Sequence, residues 1–189
     1  MVRPLPYLPE TASQTAGPYV HIGLAPQAAG FDILPDLGAE IAGPGSAGER
    51  IAVEGVVFDG DGAPVRDALI ETWQCDGEGR FPAPGGAFRG WGRIAPDLDT
   101  GEFRFETVRP GPVAGHAPHI TFWLVARGVN VGLHTRMYFP EDDHADDPLL
   151  SRIEAPARRA TLVAQAAGPS RYRFEIRLQG AGETVFLDI

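Results

Sequence analysis

At 189 residues the chain is long enough for one domain with a real hydrophobic core, and 43% hydrophobic residues argue against wholesale disorder. Sixteen Lys and Arg against 25 Asp and Glu give a net charge of −9 with no basic stripe, so neither nucleic acid nor an anionic membrane is an expected partner. The single cysteine, Cys75, excludes an intrachain disulfide framework and a cysteine metal cage.

No apolar run approaches the ~18 residues of a membrane span, and the first residues carry no signal-peptide pattern, so the expected location is cytoplasmic. The 24 glycines and 18 prolines show no collagen-like period and suit short strands joined by tight turns.

Residues 1–50 are interrupted by Pro4, Pro6, Pro9, Pro18, Pro26, Pro35 and Pro44, which forbid long helices and break central strands. Within them, Thr15-Ala-Gly-Pro-Tyr-Val-His21 carries aromatic, imidazole and β-branched side chains that a floppy tail would not need. The segment is predicted to be an extended arm, docked on its own domain or on a neighbouring chain.

Strand patterns begin at Ile51–Phe58, followed by the turn Asp59-Gly-Asp-Gly62. Further strands are predicted over Ala68–Gln74, Phe103–Val108, His119–Ala126, Asn130–Phe139, Tyr172–Leu178 and Glu183–Leu187. Only Asp147–Ile153 and the run from Pro156 to Ala164 look helical. About eight strands spaced by Gly/Asp turns predict an all-β, two-sheet β-sandwich with one or two short helices and with any function on its loops.

The segment Arg109-Pro-Gly-Pro-Val-Ala-Gly-His-Ala-Pro-His-Ile-Thr121 holds the most informative chemistry. His-x-His on a strand presents two imidazoles to one ion, but here the second position is Thr121, a poor metal ligand. The acidic run Glu141–Asp147 lacks the glycine and ligand alternation of a calcium loop and reads as solvated. Alternation places His134, Arg136 and Tyr138 on one face of a strand, where a guanidinium beside rings suits an aromatic carboxylate, or is simply ion-paired at the surface. Thr15 and Tyr19 offer hydroxyls, and Gly17 before Pro18 permits close backbone approach. Nucleophile-elbow, phosphate-loop and dinucleotide motifs are absent.

Seven motifs together resemble the intradiol ring-cleavage dioxygenases. They are Pro9–Leu24, Asp59–Ala68, Glu71–Phe81, Phe88–Arg93, Ala117-Pro-His-Ile-Thr-Phe122, Leu133-His-Thr-Arg-Met-Tyr-Phe139 and Gln179–Phe186, in family order along nearly the whole chain. Within the family, the resemblance is to the alpha chain of a two-chain enzyme whose homologous beta chain holds non-haem iron(III) through two tyrosines and two histidines. Matched by position, those four ligands fall at Phe81, Val113, His119 and Thr121, so the resemblance implies a vestigial site and no metal on this chain. It also implies that residues 1–50 dock on the partner while residues 51–189 form the sandwich domain. Thr15, Gly17, Tyr19 and Arg136 would then line a substrate pocket around the partner's iron, Arg136 in the catalytic role.

The activity implied is O2-dependent opening of 3,4-dihydroxybenzoate between its hydroxylated carbons, giving 3-carboxy-cis,cis-muconate, with this chain inactive alone and part of a higher hetero-oligomer. Thr72 departs from the family's usual apolar residue in its strand. Two rival readings are a self-sufficient dioxygenase with ligands among Tyr19, His21, His134 and Tyr138, and a non-enzymatic β-sandwich binding module.

Overall fold

A computed structural model describes residues 12–33 and 40–188. Parts of the proline-rich arm, including Pro4, Pro6, Pro9 and Pro35, therefore lie outside the described residues.

Among the described residues, nine strands build two sheets. One contains β4 (Glu102–Val108), β1 (Arg50–Phe58), β8 (Arg171–Arg173) and β7 (Gln165–Gly168) in that order, with β9 (Ile176–Arg177) also beside β1. The other runs β3 (Trp91–Ile94), β2 (Leu69–Trp73), β5 (His119–Val125) and β6 (Leu133–Tyr138), antiparallel throughout. The two-sheet all-β architecture is the one the strand pattern predicts.

The sheets meet through their alternate apolar residues. Ile51 and Val53 of β1 and Phe103 and Phe105 of β4 face Ile70, Ile120, Phe122 and Leu124 of the second sheet, all buried in one core. Phe122 sits at its centre, with ring centroids 6.2 Å from Phe103, 6.0 Å from Phe105 and 5.3 Å from Phe174. Burying such a ring contributes ~1.5–3 kcal/mol, which makes this aromatic cluster the main tie between the sheets. Gly55 lets β1 pass under the carbonyl of Phe174, which any Cβ there would overlap. Thr72, on the inner face of β2, is 1% exposed and its Oγ1 has no hydrogen-bond partner.

Aspartates organise the turns. Asp59 Oδ1 accepts the N–H groups of Asp61 and Ala63, and Asp76 Oδ1 accepts those of Glu78 and Arg80. Gly62 and Gly79 take the positive φ these turns need, at 80° and 76°.

Several local expectations are corrected. The strand expected over Tyr172–Leu178 is split into β8 and β9, and Glu183–Leu187 makes only an isolated bridge, between Leu187 and His134. β3 and β7 went unforeseen, because Trp91-Gly-Arg-Ile is too short to show alternation and Gln165–Gly168 has no apolar face. The expected helix from Pro156 stops at Ala160 (α2, Pro156–Ala160), and the expected 147–153 helix is a 3₁₀ turn at Leu150–Arg152. The arm is not uniformly extended: it contains α1 (Val20–Leu24) and a 3₁₀ turn at Pro26–Ala29.

Candidate functional site

The outer face of the β3–β2–β5–β6 sheet gathers the candidate residues. Because Ile120, Phe122 and Leu124 are committed to the core, β5 must turn His119, Thr121 and Trp123 outward. Strand register then fixes the neighbours: Tyr138 stands opposite His119, while Thr121 lies between Arg136 on β6 and Trp73 on β2. Phe81, in the loop after β2, stacks on Trp73. Val113 closes a tight turn with His116, whose ring meets His119 edge-on at 5.6 Å. Phe81, Val113, His119 and Thr121 are thus joined by direct neighbours along one stretch of this face.

These residues do not suit an iron ion. Phe81 and Val113 offer no donor atom, Thr121 only a neutral hydroxyl, and His119 a single imidazole. The His119 Nδ1 lies 2.8 Å from the Ala117 carbonyl, which can only accept, so this nitrogen carries the proton and Nε2 is left as the acceptor. Burial pushes the His119 pKa down to about 4; the Ala117 carbonyl opposes this, and Arg136 and His116 reinforce it. Among the described residues, no group of three or more His, Cys, Asp or Glu is placed to hold a metal. In the rival ligand set, two of the four members cannot share an ion. His134 and Tyr138 are four residues apart on β6, about 13 Å, and Tyr19 and His21 belong to the arm.

Arg136 is half-buried and unlike the other arginines around it. Among the described residues it makes no ion pair: its Nη1 meets only His116 Nδ1 at 3.3 Å and the Tyr138 hydroxyl at 3.5 Å, and its Nε is buried without a partner. Arg109 and Arg93, by contrast, are neutralised by Asp142 and Glu71, each at 2.7 Å. A guanidinium without a counter-ion can still bind an anion; one already paired contributes little.

Asp147 is the organiser that the sequence did not reveal. Expected within a solvated acidic loop, it is 2% exposed, because its carboxylate ties that loop to the sheet. Oδ1 accepts the N–H groups of Leu149 and Leu150 and the Tyr138 hydroxyl proton; Oδ2 accepts Ala117 N–H and lies 3.3 Å from His116 Nδ1. Burial alone would raise its pKa, but the N–H groups of Leu150, Ala117 and Leu149 outweigh that and hold it below the usual carboxylate range. The visible signal was Asp147-Pro148, an Asx residue before proline at the start of a turn. Burial pushes the Tyr138 phenol up to about 12, against the opposing pull of Arg136, so it stays protonated.

A cleft of about 520 Å³ adjoins His116 and Asp147. It is walled by Asp142, Asp143 and Asp146, and Arg109, which also lines it, is taken up by Asp142. A carboxylate would be repelled there, which leaves Arg136 as the better anion contact.

The arm residues lie elsewhere. Thr15 Oγ1 reaches the Ala126 carbonyl and accepts the Gly128 N–H at 2.6 Å, and Ala16 bridges Arg127, beyond the C-terminal end of β5. Thr121, the partner of Arg136, is five residues back along the strand, about 17 Å. Tyr19 is 74% exposed, and a Cβ on Gly17 would meet nothing within 4 Å. Thr15, Gly17 and Tyr19 therefore do not close a pocket with Arg136 inside one chain.

One face of the sandwich thus carries an imidazole, a guanidinium without an ion pair among the described residues, and Phe81, Val113 and Thr121, which offer no strong metal donor. Residues 32–180 match the protein-family model described as Dioxygenase, and the chain belongs to this family, the intradiol dioxygenases. It is 47% identical to the protocatechuate 3,4-dioxygenase alpha chain of Pseudomonas putida, over 98% of this chain and 99% of that one. The alpha chain from Burkholderia cepacia is 43% identical, covering 96% and 98% respectively. The beta chain from the same organism is 36% identical over 72% of this chain and 67% of its own length. Among solved structures, the intradiol ring-cleavage dioxygenase from Tetranychus urticae superposes with a TM-score of 0.60 at 17% identity, covering 78% of this chain and 89% of that one, which supports the fold. The family uses iron. Among the described residues no helix is long and apolar enough to cross a membrane.

Proposed function

We propose that this chain is the non-metal-binding member of a protocatechuate 3,4-dioxygenase, paired with a homologous beta chain that carries the iron(III). The observation that carries this reading is that Phe81, Val113, His119 and Thr121 offer a single imidazole and no anionic donor, while Arg136, half-buried and without an ion pair among the described residues, stands directly opposite Thr121. The bound iron would supply the activation of the catechol for attack by O2. This chain's residues would supply pocket wall: Arg136 binds the substrate carboxylate, which orients the ring and its two hydroxyls. The stacked Trp73 and Phe81, 43% and 48% exposed, offer an apolar surface for the partner or the substrate ring.

The arm supports a two-chain site. Thr15 sits too far from Arg136 to share a pocket within one chain, and nothing in this chain requires Gly17 to lack a side chain. Residues 1–50 reach the partner, where Thr15, Gly17 and Tyr19 enter its pocket, from an arm anchored on this chain by Thr15 at Ala126 and Gly128 and by Ile41 in the core that residues 51–189 otherwise form. The enzyme works in the cytoplasm as a higher hetero-oligomer.

Purification with and without the beta chain tests the proposal. The complex is expected to hold iron and cleave 3,4-dihydroxybenzoate, and the lone chain to do neither. Iron-dependent turnover by the lone chain would refute it in favour of a self-sufficient enzyme.

A further inference from the structure

We infer that Tyr138, oriented by Asp147, is a positioning residue for Arg136, with His116 as a second and exchangeable prop; this rests on the reading of Arg136 as the contact for the substrate carboxylate.

Direction of donation makes the array coherent. Asp147 is a carboxylate and can only accept, so the Tyr138 proton points to its Oδ1 at 3.3 Å. The phenol oxygen is then left with lone pairs for the Arg136 Nη1–H at 3.5 Å. Neither support can drift: the Tyr138 side chain is fully buried, and Asp147 is held by backbone N–H groups of Ala117, Leu149 and Leu150 at 2.9, 2.9 and 3.0 Å. Arg136 therefore rests on a fixed chain that runs from loop backbone through carboxylate and phenol to guanidinium.

His116 has a different standing. Its Nδ1 lies 3.3 Å both from Arg136 Nη1 and from Asp147 Oδ2. One nitrogen cannot serve both, since a bare Nδ1 accepts from Arg136 while a protonated one donates to Asp147. The Tyr138 hydroxyl satisfies both neighbours at once, which makes it the permanent link.

The use of neutral props has a chemical consequence. A carboxylate placed directly on Arg136 would fix its geometry but neutralise the charge that the substrate needs. A phenol fixes the long side chain and leaves that charge free, so ordering entropy is lost before the substrate arrives.

The test uses the assembled, iron-loaded complex. Tyr138→Phe removes one hydroxyl and leaves the three backbone contacts of Asp147 in place. KM for 3,4-dihydroxybenzoate is expected to rise roughly threefold to tenfold, the effect of losing one long hydrogen bond that only orients the guanidinium. Iron content and kcat should hold, and the effect should vanish when Tyr138→Phe is made in an Arg136→Ala background. An unchanged KM in Tyr138→Phe, or an undiminished effect in that background, overturns the inference. If Arg136→Ala itself leaves KM unchanged, it is the reading of Arg136 that falls.

Discussion

Phe81 lies nearly flat on Trp73, with ring centroids 5.9 Å apart and planes inclined by 9°. On the proposed reading, the position that carries a tyrosinate in the iron-bearing chain is here part of an aromatic stack. Restoring the phenol alone should not restore a metal site, because Val113 and Thr121 still supply no strong ligand. Phe81→Tyr is expected to leave the isolated chain iron-free by metal analysis and colourless in the visible. Stoichiometric iron in that variant would show that the remaining donors suffice.

Arg136 should matter to substrate binding and not to iron. Hydrogen bonds to a charged group are worth about 1.5–3 kcal/mol, so Arg136→Ala in the complex should raise KM about tenfold to a hundredfold. Arg136→Lys should recover part of this, since it keeps the charge but loses the planar fork. Steady-state kinetics with parallel iron analysis decide the matter; loss of iron would mean that the residue acts through assembly.

The sandwich was legible in the sequence where alternation was long enough to see, as in Phe103-Arg-Phe-Glu-Thr-Val108 and His119–Ala126. Edge strands such as Trp91–Ile94 were hidden because four residues hold too little pattern. The outward set His134, Arg136 and Tyr138 followed from period two alone, and the structure bears out that alternation. What alternation could not show was depth: Tyr138 is fully buried under the 141–150 loop, and Asp147 is buried with it. Burial of an aspartate depends on N–H groups of Ala117, some 30 residues away, and no local rule carries that information.

Thr72 should be replaceable with a gain in stability. Its side chain faces the core of β2, its Oγ1 has no partner, and a buried hydroxyl in that state costs about 1–3 kcal/mol. Thr72→Val keeps the β-branched shape and removes the unsatisfied group. Part of the gain will be spent fitting a methyl against Gly92, so about 1 kcal/mol is expected, read as a higher urea midpoint. A lowered midpoint would show that the hydroxyl is satisfied.

Asp147→Ala should act first on the loop. It strands the N–H groups of Ala117, Leu149 and Leu150 together with the Tyr138 hydroxyl. Loss of a capping side chain and of buried bonds to a charged group predicts about 2–4 kcal/mol of destabilisation. Hydrogen exchange should speed up most at Leu149 and Leu150, ahead of the β5 amides. Uniform acceleration over the whole sheet would mean that Asp147 does not act locally.

His119 gives the fold a pH dependence whose sign can be worked out. Its folded pKa is about 4, against an ordinary 6.5, so between these values the unfolded chain takes up a proton that the folded chain refuses. The residue contributes nothing above pH 6.5, and stability falls as pH drops through 6.5 towards 4. Linkage puts the loss at about 2 kcal/mol between pH 7 and pH 5. Asp147 has the opposite type of shift, a lowered carboxylate pKa, and loses its contribution only below the ordinary 3.8, outside this window. Urea unfolding of the chain at pH 7 and pH 5 measures the slope, and His119→Gln, which cannot titrate, should flatten it. If the slope survives in His119→Gln, another group is responsible for the acid sensitivity.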